Sequence, residues 1–314
     1  MKQPPVYLSN LKLVKSGTLL EVYQFGNDIH LERRIRHIKT EEEKEEAKKF
    51  PKPKASHEEI LKSSARRSKR MIKRLIRANS FLWFKRNGKP YLPITLTLTF
   101  AENITDLKKA NYEFTKFIRR LNYETNRIEG KDLKQSNLKY LAVYELQNRG
   151  AIHYHMIFFN LPYIKNIYNK MRDIWGQGRI MVGGKEKQFK KIRTQTHLLK
   201  IINYFIKYIQ KSIFENDNPR QKKYIASKAL LKSQESSISE VVSFVEAKLP
   251  LHSLMYSWDG ESEYNNSDIN DSVGKPKNFI RWFNYRQYDL SKLPELDKDI
   301  TELLTTHSLD DIAF

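Results

Sequence analysis

No cysteine occurs among the 314 residues, which excludes a disulfide framework and any thiolate metal site. A metal bound by this chain must be held by histidine, carboxylate or carbonyl groups. Long apolar runs are missing as well; none approaches the ~20 residues needed to span a bilayer. The opening stretch MKQPPVYLSN lacks the apolar segment of a secretory signal, so the expectation is a cytoplasmic protein with no membrane association. Acidic residues are the third shortage, 36 Asp+Glu against 57 Lys+Arg, for a formal charge of +21. A surplus of this size opposes compactness and points to a polyanionic partner, nucleic acid ahead of an anionic membrane surface. There is no internal repeat and no G-x-x-x-x-G-K-[ST] phosphate loop: VGGKEK at 182–187 lacks both the spacing and the hydroxyl residue. The chain is therefore not expected to unwind DNA by itself.

What is present is a globular composition, with 39% hydrophobic and 30% charged residues, Tyr 17 and Phe 16. The length allows two domains, or one core domain with appendages. The stretch GTLLEVYQFGNDIHLERR reads as a β-hairpin turning at Gly26-Asn27. Residues 39–55 are a charge run ending in prolines, expected as a solvated helix tip and linker. In residues 58–79, Leu61, Ala65, Ser68, Ile72, Leu75 and Ile76 recur at helical spacing and can pack. The same helix carries Arg66, Arg67, Lys69, Arg70, Lys73, Arg74 and Arg77, with no acid among them. A solvated face needs fewer cations, so phosphate contact is the expectation.

Periodicity changes at YLPITLTLTF (91–100). Ile94, Leu96, Leu98 and Phe100 alternate with Thr95, Thr97 and Thr99, which predicts a half-buried strand. An amphipathic helix follows over 103–124, with Asn103, Thr105 and Asp106 available as caps and Leu107, Ala110, Phe114, Phe117, Ile118 and Leu121 as its buried stripe. NLKYLAVYELQ (137–147) and AIHYHMIFFNL (151–161) read as two further strands joined by Asn148-Arg149-Gly150. A three-residue loop ending on an αL glycine fixes the register. It sets Glu145 opposite His153 and Val143 opposite His155, so Glu145, His153 and His155 share one sheet face. The fold class expected is α+β, a central antiparallel sheet with flanking helices and extensions at both ends.

Two imidazoles and a carboxylate on one face suit a divalent cation with open coordination positions. A His-x-His pair alone is weak evidence, because polar strand faces often carry one. HLLKIINYFIKYIQKSI (197–213) adds to it. Leu198, Ile202, Phe205, Ile209 and Ile213 form one helical face, while Lys200, Tyr204, Lys207, Tyr208 and Lys211 form the opposite stripe. A phenol has an ordinary pKa of about 10, so it needs a neighbouring ammonium or metal to act as a nucleophile. A polar strand face confronting this polar helix face would supply both.

ITLTLTF, GAIHYHMIFF and YFIKYIQK resemble the three ordered motifs of the HUH single-strand endonucleases, and specifically rolling-circle replication initiators of the two-tyrosine, bacterial plasmid or phage type. DIWGQGRIMV (173–182) and KKYIASKALLKS (222–233) are similar to segments around the third motif, so the resemblance spans about 91–233. It implies an RRM/ferredoxin-like HUH domain, with His153 and His155 holding Mg²⁺ or Mn²⁺ and Glu145 as third ligand. It implies Tyr204 and Tyr208 as nucleophiles, Tyr208 acting first, and Lys207 and Lys211 steadying phosphate charge. The implied activity is a metal-dependent, site-specific nicking and joining of single-stranded or hairpin origin DNA, through a 5′-phosphotyrosine and a free 3′-OH. A host helicase and DNA polymerase are the implied partners. The alternatives are a non-catalytic copy-control DNA-binding protein and an HUH transposase or relaxase. Relaxases place tyrosine before the histidines, and such transposases are shorter.

Lys190, Lys191 and Arg193, in the basic run before the tyrosine helix, are further DNA-contact candidates. The expected division is 1–90 (hairpin and basic DNA-contacting helix), 91–233 (endonuclease) and 234–314 (accessory DNA binding or oligomerisation). In the last, SISEVVSFVEAKL reads as helix and NNSDINDSVGKPKN as loop. FIRWFNYRQYDL reads as a core segment whose Arg281 and Arg286 snorkel, and the acidic tail can mediate homodimerisation or partner binding.

Overall fold

The computed structural model describes residues 9–29, 56–183, 192–215, 224–270 and 276–306, with positions 41 and 45. The rest of the charge run at 39–55, and with it Lys190 and Lys191, lies outside the described residues. The chain forms two compact units, Ala55–Lys232 and Met1–Lys54 with Ser233–Phe314. The first carries 38 Lys+Arg and 13 Asp+Glu; the second carries 19 and 23. The whole cationic surplus therefore belongs to one unit, and the other is slightly acidic.

In Ala55–Lys232 the helix α1 (His57–Asn79) opens on a capping box, Ser56 accepting from Glu59 N while Glu59 accepts from Ser56 N. The strands are β3 (Ile94–Thr99), β4 (Tyr140–Leu146), β5 (Ile152–Phe158), β6 (Ile180–Val182) and β7 (Tyr224–Ala226). They form an antiparallel sheet in the order β6-β3-β5-β4-β7. Helices α2 (Leu107–Glu129), α3 (Ile167–Trp175) and α4 (Gln195–Glu215) complete the unit. Helix α2 runs beyond the expected end because its inward residues turn polar rather than stopping. Asn122 accepts from the amides of Asn137 and Leu138, and Asn126 donates to the carbonyls of Asp132 and Gln135, so the helix holds the following loop.

Period-two alternation sends successive side chains to opposite faces. Leu96, Leu98, Tyr154 and Met156 pack with Phe114, Phe117 and Trp175 of α2 and α3. Leu141, Val143 and Ile157 pack on the other face with Ile72, Leu75 and Ile76 of α1 and with Leu198, Ile201, Ile202 and Phe205 of α4. Burial stabilises by about 1.5–3 kcal/mol per such side chain, so α4 is fixed to the sheet by packing. The threonine face of β3 is correspondingly covered rather than half-exposed: Thr95 and Thr97 are 5% and 7% accessible.

The other unit holds β1 (Ser9–Ser16), β2 (Leu19–Ile29), β8 (Gln234–Ser236), β9 (Leu254–Asn270) and β10 (Pro276–Asp289), ordered β8-β1-β2-β10-β9. Helices α5 (Ser239–Ala247) and α6 (Pro294–Thr306) cover one face, where Val242, Val245, Ile300 and Leu304 meet Leu13, Leu20, Val22 and Tyr288. With those of the first unit, six helices flank two antiparallel sheets among the described residues, an α+β fold.

Three expectations need correction. The first hairpin turns at Gly17-Thr18, where Gly17 has φ +63° and Ser16 pairs with Leu19; Gly26 sits inside β2, whose pairing with β10 runs on to Phe25 opposite Phe283. The Asn- and Ser-rich stretch 265–278 is mostly strand, because β9 and β10 pair from Tyr288 out to Pro276. The aromatic-basic stretch is strand β10, with only Tyr288 reaching the core; Phe283 and Tyr285 stack on the other face with Tyr23 and Phe25.

Candidate metal and tyrosine site

The site begins at the β4–β5 turn. Gly150, at φ +80°, donates its N–H to Gln147 O at 2.7 Å, and Gln147 N donates to Ala151 O at 2.9 Å. A side chain at that φ is strained. The turn sets Glu145 opposite His153 and Val143 opposite His155. On that face Glu145, His153 and His155 bring one ligand atom each to within 4.8 Å of one another. Glu145 Oε1 lies 2.9 Å from His155 Nε2 and 3.6 Å from His153 Nδ1. Glu145 and His155 are buried, and His153 is half-buried.

Each imidazole is oriented from behind by the neighbouring strand. β3 pairs Thr97 with His155 and Thr99 with His153. Thr99 Oγ1 is 2.6 Å from His153 Nε2, and Thr97 Oγ1 is 3.3 Å from His155 Nδ1. The nitrogens facing the carboxylate are thus the ones left to ligate, and the opposite nitrogens are held by hydroxyls, as metal-binding histidines require. Thr97 and Thr99 were legible from sequence only as the polar face of a strand. Because such partners change affinity by about 10–100-fold, Thr99→Val is expected to weaken Mn²⁺ binding by that order, as read by titration calorimetry.

The tyrosine helix reaches the same group. Tyr204 Oη lies 3.0 Å from His155 Nδ1, with the rings edge-on at 5.4 Å between centroids. The contact arises differently from the expected confrontation of two polar faces: α4 docks through its apolar side, and Tyr204, half-buried at the margin, turns in toward His155. Lys200 and Lys207 are exposed on the outer side. The side chains of Tyr208 and Lys211 lie outside the described residues. Other tyrosines of the unit are unsuited to ionise. Burial pushes Tyr140, Tyr154 and Tyr224 above the ordinary phenol value, and Tyr154 points to the opposite face, donating to Asn111.

A cleft of about 750 Å³ opens on Glu145, lined also by Thr99, Gln147, Arg149 and Arg179. Arg149 is anchored by donating to Phe100 O at 2.7 Å. Arg179 is brought there by the turn after α3. Trp175 donates its indole N–H to Thr99 O, Ala101 N donates to Gln177 O, and Thr99 N to Arg179 O. A Cβ on Gly178 would stand 2.4 Å from Thr99 O, so only glycine permits this approach. These arginines were not singled out from sequence; the WGQGR stretch was the available signal.

Of the basic candidates, Arg66, Arg67, Arg70 and Lys73 are exposed on α1, as is Arg193 before α4. Lys69, Arg74 and Arg77 are half-buried. Burial, then the neighbouring Lys73, lowers the pKa of Lys69. The helix therefore both braces α4 and presents a cationic row.

Fold and site together define a class: an antiparallel α+β protein whose sheet carries a buried His-His-Glu group able to hold a divalent ion, beside a tyrosine-bearing helix. Residues 93–213 match the family of replication-associated proteins of the ORF2 type, a span running from the start of β3 into α4 and taking in every residue of the site. This match is consistent with a rolling-circle replication initiator and supports a role in replication. No curated protein and no solved structure matches the chain significantly. Among the described residues, no helix is long and apolar enough to cross a membrane.

Proposed function

We propose that the chain is a two-tyrosine rolling-circle replication initiator, which nicks single-stranded or hairpin origin DNA and later rejoins it. The observation that carries this reading is the 3.0 Å contact between Tyr204 Oη and His155 Nδ1, which joins the tyrosine helix to the metal-binding group. The donor set of His153, His155 and Glu145 fits Mg²⁺ or Mn²⁺. The bound ion supplies Lewis-acid polarisation of the phosphoryl group.

The chain's own residues do the rest. A neutral imidazole has one N–H and one lone pair. With the Nε2 lone pair of His155 directed at the ligand position beside Glu145, Nδ1 carries the proton and donates to Tyr204 Oη. That hydrogen bond favours the phenolate. The phenolate oxygen attacks phosphorus, the bond from phosphorus to the 3′-oxygen breaks, and that oxygen takes a proton to leave as the 3′-OH. The 5′-phosphate stays on tyrosine. Attack by a 3′-OH on this ester reverses the step with no nucleotide consumed. Arg149 and Arg179 face the cleft where phosphate charge is met, and Lys207 and Lys211 frame the helix. Tyr208, one turn beyond, is assigned to the second cleavage.

The polyanion is held by Ala55–Lys232, which carries the surplus charge. The crowding that depresses Lys69 is relieved when phosphate approaches Arg66, Arg67, Arg70, Lys73, Arg74 and Arg77; Lys190, Lys191 and Arg193 extend the same track. Unwinding and synthesis fall to a host helicase and polymerase in the cytoplasm. The unit with Ser233–Phe314, having no cationic surplus, is assigned to self-association or protein contacts. The test is incubation with labelled single-stranded origin DNA and Mn²⁺, followed by a denaturing gel. A protein–DNA adduct is expected; its absence for every origin strand tried overturns the proposal.

A further inference from the structure

A second cleft, of about 500 Å³, lies at the other end of the catalytic sheet. One wall is a tight hairpin, Trp83 to Tyr91: Phe84 bridges Pro90, Lys85 N donates to Lys89 O, Gly88 N to Lys85 O, and Tyr91 N to Trp83 O. Facing it are the end of α2 and the turn after β5, where Tyr163 stands. Tyr91 lines this cleft, whereas Thr99, at the far end of β3, touches His153. Strand residues rise about 3.3 Å each, so β3 alone puts about 17 Å between its ends. The two sites are separate.

The lining is unusual in both apolar and charged character. Phe84 is 61% exposed, Tyr163 77% and Ile128 41%. A lone exposed ring needs no explanation, but three large apolar side chains around one cleft form a patch that marks a binding surface. Lys85, Arg86 and Lys131 border the same space. Glu129 is the one acid among the lining residues, and it is engaged by Lys131 at 2.7 Å and by the Tyr91 hydroxyl. The frame is preorganised: Tyr91 is buried, Lys139 sits over the Trp83 ring at 5.0 Å, and Arg86 donates to Gly130 O at 3.4 Å.

We propose that this cleft is a base-stacking site for single-stranded nucleic acid, with bases lying on Phe84 and Tyr163 and phosphates met by Lys85, Arg86 and Lys131. Base–aromatic stacking is sequence-tolerant, because every base has a π-face, and it is strengthened by a neighbouring cationic groove. An apolar protein surface docked here would bury three cations against a single carboxylate that is already paired. A polynucleotide instead brings a phosphate with each base. The inference rests on the reading of the chain as a DNA-acting protein and extends it: the strand is gripped at the opposite end of the sheet from where it is cut.

The test uses the full chain with fluorescein-labelled oligothymidylates of rising length, in a chelator so that no cleavage occurs, with anisotropy as the readout. Phe84→Ala/Tyr163→Ala is expected to weaken binding of the longer strands by about 10–100-fold, while Phe84→Trp/Tyr163→Phe retains it. Lys85→Ala/Arg86→Ala is expected to lower the salt slope by about 1.4, at about 0.7 for each phosphate left unneutralised. Photocrosslinks from 5-iodouracil should map to Phe84 or Tyr163. If the parent chain binds strands and forms its adduct, yet the double alanine variant binds within twofold of it and gives no crosslink there, the cleft is not a nucleic-acid site and the nicking reading stands. If the parent chain binds no single strand at all, both readings fall together. Both rings are exposed, so unchanged melting temperatures confirm that the variants are folded.

Discussion

Tyr204→Phe is expected to remove the first covalent adduct, lowering its rate by at least about 10³-fold at saturating Mn²⁺. Deleting the attacking oxygen leaves only water as nucleophile, and losses of this order or more attend removal of a nucleophile elsewhere. The variant keeps the ring that packs at the edge of the α4 interface and loses one hydrogen bond to His155. Such a bond contributes about 0.5–1.5 kcal/mol, so the fold should persist with a slightly lower melting temperature. Loss of the hydroxyl also loosens His155, which is why the metal must be saturating. Tyr208→Phe should form the first adduct normally and fail in the second cleavage and release. Sequence resemblance favours Tyr208 as the first nucleophile; the Tyr204–His155 contact supports the opposite order. Single-turnover gels of the two variants decide between them: an adduct that survives Tyr204→Phe and vanishes in Tyr208→Phe restores Tyr208 to the first step.

The legible part of this protein is local in sequence. Glu145, His153 and His155 lie within eleven residues, and Gly150 fixes how the two strands meet, so the geometry of the metal-binding group follows from one turn. The threonines behind the histidines belong to a strand more than fifty residues earlier, and nothing in β3 announces which strand it will pair with. Tyr204 was recognisable as part of a polar stripe, but its approach to His155 depends on how the apolar side of α4 seats against Val143 and Ile157. The second unit shows the same divide. Its amino-terminal hairpin is continued by β10, more than two hundred residues later, so the chain is not divided into consecutive blocks. Turn chemistry misled twice for one reason. Gly26-Asn27 and the Asn-rich stretch near 265 carry turn-forming residues, but long cross-strand pairing overrides them. Charge was legible in amount but not in place, since its concentration in Ala55–Lys232 emerges only with the division into units.

Removing the metal ligands should have the other large effect, visible without any DNA. A ligand that binds only the folded state stabilises it by RT ln(1 + [L]/Kd), about 2.7 kcal/mol at a hundredfold excess over Kd. A unit the size of Ala55–Lys232 shifts its melting temperature by about 2–4 °C per kcal/mol, so Mn²⁺ should raise it by about 5–10 °C. In His153→Ala/His155→Ala that rise should disappear, since one carboxylate remains of the three ligands. Glu145→Gln is the sharper variant. It preserves the shape between the two imidazoles and can still hydrogen-bond to His155, but it withdraws the only anionic donor of the group. The metal-free protein should melt close to the parent, while the Mn²⁺-dependent rise and the adduct are both largely lost. A Glu145→Gln chain that keeps the full thermal response would move the ion away from this face. The buried carboxylate would then be a brace for His155, and the nucleophile's activation would have to come from the lysines of α4.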